Sequence, residues 1–189
     1  MKTIVRSSVH TYEIKKSKFI AYLVPIEEFD GLQEKLRIEH PKSRHVVYAL
    51  RYLNEFDQIV ENSSDDGEPK GSSGTPALNV LRGEEMINVA VLIVRYFGGI
   101  KLGIGGLVRA YGNAVKEVIA QANVVVYEKM LEYTFHSPYS DIQRVEYLLD
   151  KFEIGHIKRE FLNDGVAWRI ESTKERLAMF QEEYACKRS

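Results

Sequence analysis

A single cysteine, Cys186, stands in the 189 residues. One thiol cannot build an internal disulfide framework or a multi-cysteine metal site, and near the end of the chain it reads as a partly exposed tail residue. Long apolar runs are missing as well. The stretch Val89 to Val94 is strand-sized, far short of the roughly 20 residues that cross a bilayer. Met1-Lys2-Thr3-Ile4-Val5-Arg6 opens without the apolar segment of a signal peptide, so a reducing cytoplasm is the expected setting. Excess charge is also absent, with 26 Lys and Arg against 27 Asp and Glu. That balance excludes a protein basic over its whole surface. Any nucleic-acid surface must be a local patch, offset by acid elsewhere.

What the chain does have is the makings of a core. Hydrophobic residues at 44% and charged residues at 28% are the mixture of a globular protein, and the length suits one ordinary domain or two small ones. Phe19 to Val24 reads as a strand ended by Pro25. Phe29, Leu32 and Leu36 have the i, i+3, i+7 spacing of an amphipathic helix, which His40-Pro41 stops because proline disfavours helical geometry in the residue before it. His45 to Leu53 is β-branched and aromatic enough for a second strand. From Asn62 to Pro76 the chain is polar and rich in glycine and serine, long for a loop inside a compact domain. Its end predicts a short helix through Leu81, with Thr75 as N-cap, Pro76 at the first helical position and Gly83 closing it. Asn88 to Phe97 predicts a strand buried on both faces. A glycine loop follows, and then a helix with Leu107, Tyr111, Ala114, Val118 and Ala122 on one stripe.

After Asn123 the texture changes. Val124 to Phe135 reads extended and Tyr139 to Phe152 helical. Ile154 to Leu162 and Val166 to Ile170 form a hairpin, with positive-φ turn residues expected at Asn163-Asp164-Gly165. Thr173 caps a last helix. This β-α-β-β-α order is close to a ferredoxin-like layout. The fold class is therefore α+β, a two-domain sandwich divided into residues 1–130 and 131–189.

The glycine loop is the sharpest chemical feature. Gly98, Gly99, Gly103, Gly105 and Gly106 weaken any regular element, so the backbone there does something that side chains would obstruct. A phosphate-binding P-loop needs Lys and then Ser or Thr after its second spaced glycine, but Ile104 follows Gly103. A dinucleotide fingerprint needs a small residue three after Gly105, where Val108 stands. What remains is a glycine turn entering a helix, with Arg95 before it, Lys101 inside it and Arg109 just after. One reading is an anion site in which these cations join the loop amides. The other is close helix–sheet packing, with the cations in water or paired to Asp65, Asp66 or Glu68. Under either, Gly105→Val is expected to harm folding.

The acidic loop offers Asp65, Asp66 and Glu68, which suit Mg²⁺ with waters and phosphate, or equally turn formation and ion pairing. Ser72 and Ser73 need a base to act as nucleophiles, and neither His40 nor His45 is linked to them by spacing. No catalytic residue, cofactor or resident metal is assigned. Tyr96, Phe97 and Tyr111 surround the glycine loop. Aromatics beside cations suit base stacking and phosphate contact in single-stranded nucleic acid, or they belong to the core.

Arg95-Tyr96-Phe97-Gly98-Gly99, then Leu102-Gly103 and Gly105-Gly106-Leu107-Val108-Arg109-Ala110-Tyr111, with Asp65-Asp66-Gly67-Glu68-Pro69 upstream, resemble the signature of the IMPACT/YigZ family. Lys16-Ser17-Lys18-Phe19-Ile20 and His45 through Arg51 are similar to its N-terminal pattern. Ser72-Ser73-Gly74 replaces the Thr-Ala-Gly common among relatives, keeping hydroxyl and turn. The resemblance implies two domains similar to domains IV and V of elongation factor G. It also implies work in translation: eukaryotic relatives carry a further N-terminal domain and dampen an amino-acid-starvation kinase pathway by competing for its activator. Bacterial-type relatives are described as nucleic-acid or ribosome binders. The expected function is thus a non-enzymatic translation regulator that binds RNA, the ribosome or a translation-linked protein through the basic glycine-loop face. Two alternatives stand beside it: a small enzyme holding a phosphorylated ligand with Mg²⁺ at the acidic loop, and a protein-interaction module docking through both loops.

Overall fold

The computed structural model describes residues 1–186. The chain divides into two compact units, Met1–Tyr127 and the residues from Glu128 onward. In the first, strands β2 (Ser8–Ile14), β3 (Ser17–Pro25), β4 (His45–Leu53), β5 (Ile59–Ser64) and β6 (Val89–Tyr96) form one sheet in the order β2-β3-β6-β4-β5. Every neighbouring pair is antiparallel. Helices α2 (Gly74–Gly83) and α3 (Ile104–Gln121) lie on one face, where Phe19, Leu23, Val47, Val91 and Ile93 meet Leu81, Leu107, Tyr111 and Val118. Helix α1 (Leu32–Glu39) covers the other, with Leu36 against Val46, Leu92 and Val94. The alternation of strand side chains between faces sends odd and even residues of β6 into two different cores. That explains its unbroken apolar run without a parallel sheet.

Two short strands, β1 (Lys2–Ile4) and β7 (Val124–Val126), pair antiparallel and close the unit. Neither α2 boundary falls where the turn chemistry suggests. The helix begins at Gly74 with Ser73 in the capping position and Thr75 and Pro76 already inside the first turn. Proline is tolerated there because those N–H groups have no intrahelical acceptor. At the other end Gly83 is the last helical residue, and the left-handed conformation falls on Glu85 (φ 55°) instead. Asn62 to Ser64 belong to β5 rather than to the loop.

The second unit runs β8 (Met130–Ser137), α4 (Ile142–Lys151), β9 (His156–Leu162), β10 (Gly165–Thr173) and α5 (Lys174–Cys186). Strand β10 lies between β8 and β9 and is antiparallel to both, so the unit is an α+β sandwich of two helices on a three-stranded sheet. Its core gathers Leu148, Trp168, Ile170 and Phe180. The β9–β10 turn does not use left-handed residues at Asn163 or Asp164. Gly165 is required there for a different reason: a Cβ on it would sit 2.1 Å from the Ser137 carbonyl oxygen on β8.

Candidate functional site

The loop between β5 and α2 is built around Asp65. Its carboxylate accepts from the backbone N–H groups of Gly71, Ser73 and Gly74 at 2.7, 3.1 and 2.9 Å, and from the Ser73 hydroxyl at 2.6 Å. It therefore caps α2 from nine residues upstream, satisfying donors that open every helix. Burial pushes the Asp65 carboxyl up, but the hydrogen bonds from Ser73, Gly71 and Gly74 outweigh it, and the group is held below the usual carboxylate range. A depressed folded-state value means this stabilisation is complete above the ordinary range and is lost as pH falls through the folded value. We expect Asp65→Ala to cost about 1–2 kcal/mol at neutral pH, the usual loss of a helix cap. In urea titrations the gap between wild type and variant should close below about pH 4. A gap independent of pH would rule out the charged cap.

Asp66 has different partners. Its carboxylate takes the Arg37 guanidinium at 2.5 Å and the Val46 N–H at 2.6 Å, and its carbonyl accepts from His45 Nδ1 at 2.7 Å. A carbonyl can only accept, so the Nδ1 of His45 carries the proton and a neutral ring leaves Nε2 as an acceptor. Glu68 is buried with a side chain 3% exposed, accepting from Arg95 Nη1 at 2.5 Å and from the Tyr111 hydroxyl at 2.9 Å. Burial and the adjacent Glu68 charge hold the Tyr111 hydroxyl far above the usual phenol range, so it stays a donor. The three carboxylates thus point to three separate sets of partners, and no group of metal-ligating side chains is assembled among the described residues. Ser72 donates to the Pro69 carbonyl at 2.6 Å. With Ser73 bound to Asp65, neither serine faces a histidine base.

The glycine loop divides by residue. Gly98 is a packing position: a Cβ there would lie 2.0 Å from the Lys16 carbonyl carbon in the β2–β3 turn. Gly99 and Gly103 adopt φ of 86° and 69°, the region only glycine enters freely. Gly106 is tight against Leu102. Gly105 is not a packing position, since a Cβ on it would meet nothing closer than Arg109 Nη1 at 3.8 Å. The harm expected of Gly105→Val thus finds no clash at the Cβ, and the tightest glycine of the loop is Gly98.

Beside this loop opens a cleft of about 610 Å³, with Lys42, Arg44 and Lys101 among its lining residues, together with Tyr96, Phe97 and Ile104. His45, Glu68 and Arg95 also line it. The guanidinium of Arg95 is sandwiched, 5.5 Å from the Phe19 ring centroid and 5.9 Å from that of Phe97. Phe97 is 55% exposed and Ile104 65%, so an aromatic face and an apolar edge stand open among exposed cations. Of the three cations singled out in the sequence, the structure brings Arg95 and Lys101 to the cleft but not Arg109. Arg109 is exposed on α3, five residues beyond the cleft-lining Ile104 and on another side of the helix. The charge of Arg95 is met by Glu68. The exposed cations that line the cleft beside Lys101 are Lys42 and Arg44; their sequence signal, two cations two residues apart just before β4, was hidden in a stretch that reads only as a helix stop. His40 joins the site indirectly, holding the hydroxyls of Tyr22 and Tyr96 at 2.9 Å each and so orienting one aromatic wall.

Fold and site together define an α+β protein that presents a cationic, aromatic cleft at a glycine turn. Residues 15–119, which contain every element of that cleft, match the Impact N-terminal domain, and the chain belongs to the IMPACT family. It is 35% identical over 176 residues to IMPACT family member YigZ of Escherichia coli, spanning 92% of this chain and 86% of that protein. An IMPACT family member of Haemophilus influenzae is 35% identical over 155 residues, 79% of this chain and 74% of its own. A crystal structure of a hypothetical protein superposes with a TM-score of 0.67 at 32% identity, covering 97% of this chain and 90% of the other. Among the described residues no helix is long and apolar enough to cross a membrane.

Proposed function

We propose that this chain is a non-enzymatic regulator of translation that binds an unpaired RNA segment of the translation machinery in the cleft beside the glycine loop. The observation that carries the reading is Phe97, an exposed ring backed by a paired Arg95, standing among the exposed cations Lys42, Arg44 and Lys101. A stacking platform flanked by phosphate-binding side chains is how single strands are held without strong sequence preference. Engagement of Asp65, Asp66 and Glu68 in capping and ion pairing supports binding over Mg²⁺-assisted catalysis. The β-α-β-β-α order of the second unit, with β10 between β8 and β9, supports the likeness to domain V of elongation factor G, a likeness of fold and not of site.

The test is a fluorescence titration of a short unstructured RNA between 50 and 200 mM salt. With about three to five cations engaged, the log–log slope should be roughly −2 to −4. Alanine at Lys42, Arg44 or Lys101 should each reduce that slope by about 0.7. Phe97→Leu should instead weaken binding by about 1–3 kcal/mol and leave the slope unchanged. A flat salt dependence, or no binding at low salt, overturns the reading in favour of a protein partner.

A further inference from the structure

The second unit carries a feature that the cleft does not use. All seven residues of β9 are exposed, and its outer edge pairs with no strand among the described residues. A bare edge is a template for another strand, and this one is unevenly apolar: Ile157 is 39% exposed and Phe161 62%. Both lie on the helix-covered face of the sheet, opposite the buried Ile170 and Val166 of β10, yet α4 and α5 leave them open. Beside Ile157 runs a groove of about 310 Å³ between α4 and β9, lined in part by Leu149 and Trp168.

We propose that β9 pairs antiparallel with β9 of a second copy of this chain, about a twofold axis at Arg159. The occupant follows from register. Opposite residues of an antiparallel pair share a face, so a twofold pairing must centre on a residue. Centred on Lys158 it opposes two lysines and sets Ile157 against Arg159. Centred on Glu160 it opposes two glutamates and sets Arg159 against Phe161. Centred on Arg159 it places Lys158 opposite Glu160 twice on one face and Ile157 opposite Phe161 twice on the other, with each Phe161 reaching the groove beside its partner's Ile157. The two central arginines do not stand as bare like charges, because each Arg159 is held by Glu146 of its own chain at 2.5 Å. The same register sets His156 opposite Leu162 at the two ends, where the Leu162 carbonyl also accepts from the Tyr139 hydroxyl at 2.5 Å. The interface is isologous, as closed homodimers require.

The experiment is sedimentation equilibrium of the full chain from micromolar to near-millimolar concentration, with circular dichroism to verify that each variant is folded. Wild type should approach twice 21.7 kDa as concentration rises. Phe161→Asp should remain monomeric, as should Lys158→Glu and Glu160→Lys singly, since each single reversal opposes like charges. Lys158→Glu combined with Glu160→Lys restores the complementary pairs and should recover wild-type association within about threefold. A wild type that stays monomeric throughout overturns the proposal. So does a dimer that survives Phe161→Asp and both single reversals, or a double variant that fails to recover association. RNA binding in the cleft does not enter these measurements, so either conclusion can fail without the other.

Discussion

Glu68→Ala should lower the unfolding free energy by about 3–5 kcal/mol, the range for removing one member of a buried ion pair. The cost arises less from the lost bond than from what is left behind. Arg95 is 10% exposed in its side chain, and its buried Nε already has no hydrogen-bond partner. Without Glu68 its Nη1 loses its acceptor too, and the Tyr111 hydroxyl, fully buried, loses the oxygen it donates to. Stranded donors in an apolar surrounding carry the full desolvation penalty. Urea melts of Glu68→Ala beside the double variant Arg95→Met, Glu68→Met make the argument sharp. Replacing both charges by apolar groups of similar volume should recover at least half of the loss. A loss below about 1 kcal/mol for Glu68→Ala alone would mean that Arg95 finds water, and the buried-pair account would be wrong.

Gly98→Ala is the second substitution expected to act strongly, at about 3 kcal/mol, the upper end for overpacking. The added methyl would lie 2.0 Å from the Lys16 carbonyl carbon, 2.2 Å from its oxygen and 2.3 Å from the Ser17 nitrogen. These are backbone atoms, so no side-chain rotation relieves the clash. The turn they belong to is already committed, with Lys15 and Lys16 at φ of 46° and 64°, and Gly98 N–H donates to Ser17 Oγ at 3.2 Å. Relief must come from parting β3 and β6 at the end where the cleft begins. Gly105→Ala is the matched control, since its methyl meets only the end of the Arg109 side chain, at an ordinary 3.8 Å, in the first turn of α3. There alanine should leave stability unchanged or raise it by up to about 1 kcal/mol. Equal losses from the two glycines in thermal melts would refute the division of the loop into packing and open positions.

The two glycines also show how far the sequence could be read. That five glycines make a turn into a helix was legible from spacing alone; which of them touches another chain segment was not, because Lys16 is 82 positions away from Gly98 and its approach is a tertiary fact. The central strands were plain, Val89–Tyr96 most of all, because burial on both faces writes itself as a nearly unbroken apolar run. The edge strands were not. Ser8–Ile14 mixes Ser, His, Thr and Glu with its apolar residues, and Ile59–Ser64 fades into Asn and Ser, since an edge has only one side to bury. At the site, the DDGEP motif stood out in the sequence, yet the division of labour among its carboxylates depends on partners at Arg37, Val46, Arg95 and Tyr111 that no local pattern links. For the same reason Lys42 and Arg44 went unnoticed: a cation is informative only once the fold says which wall it stands on.

The pairing of β1 with β7 bears on how the first unit comes into being during synthesis. Lys2, Thr3 and Ile4 are made 124, 122 and 120 positions ahead of their partners Val126, Val125 and Val124. At roughly 5–20 residues per second, the opening strand waits on the order of ten seconds before its partner leaves the ribosomal tunnel. Throughout that wait Ile4, which ends 5% exposed in the main core, has no β7 to seal it. Pairing across so long a stretch of chain is the slow kind, since loop closure must precede any gain from contact. The sheet and its two covering helices can assemble as their segments emerge. Closure of the unit is a late event, timed by elongation itself.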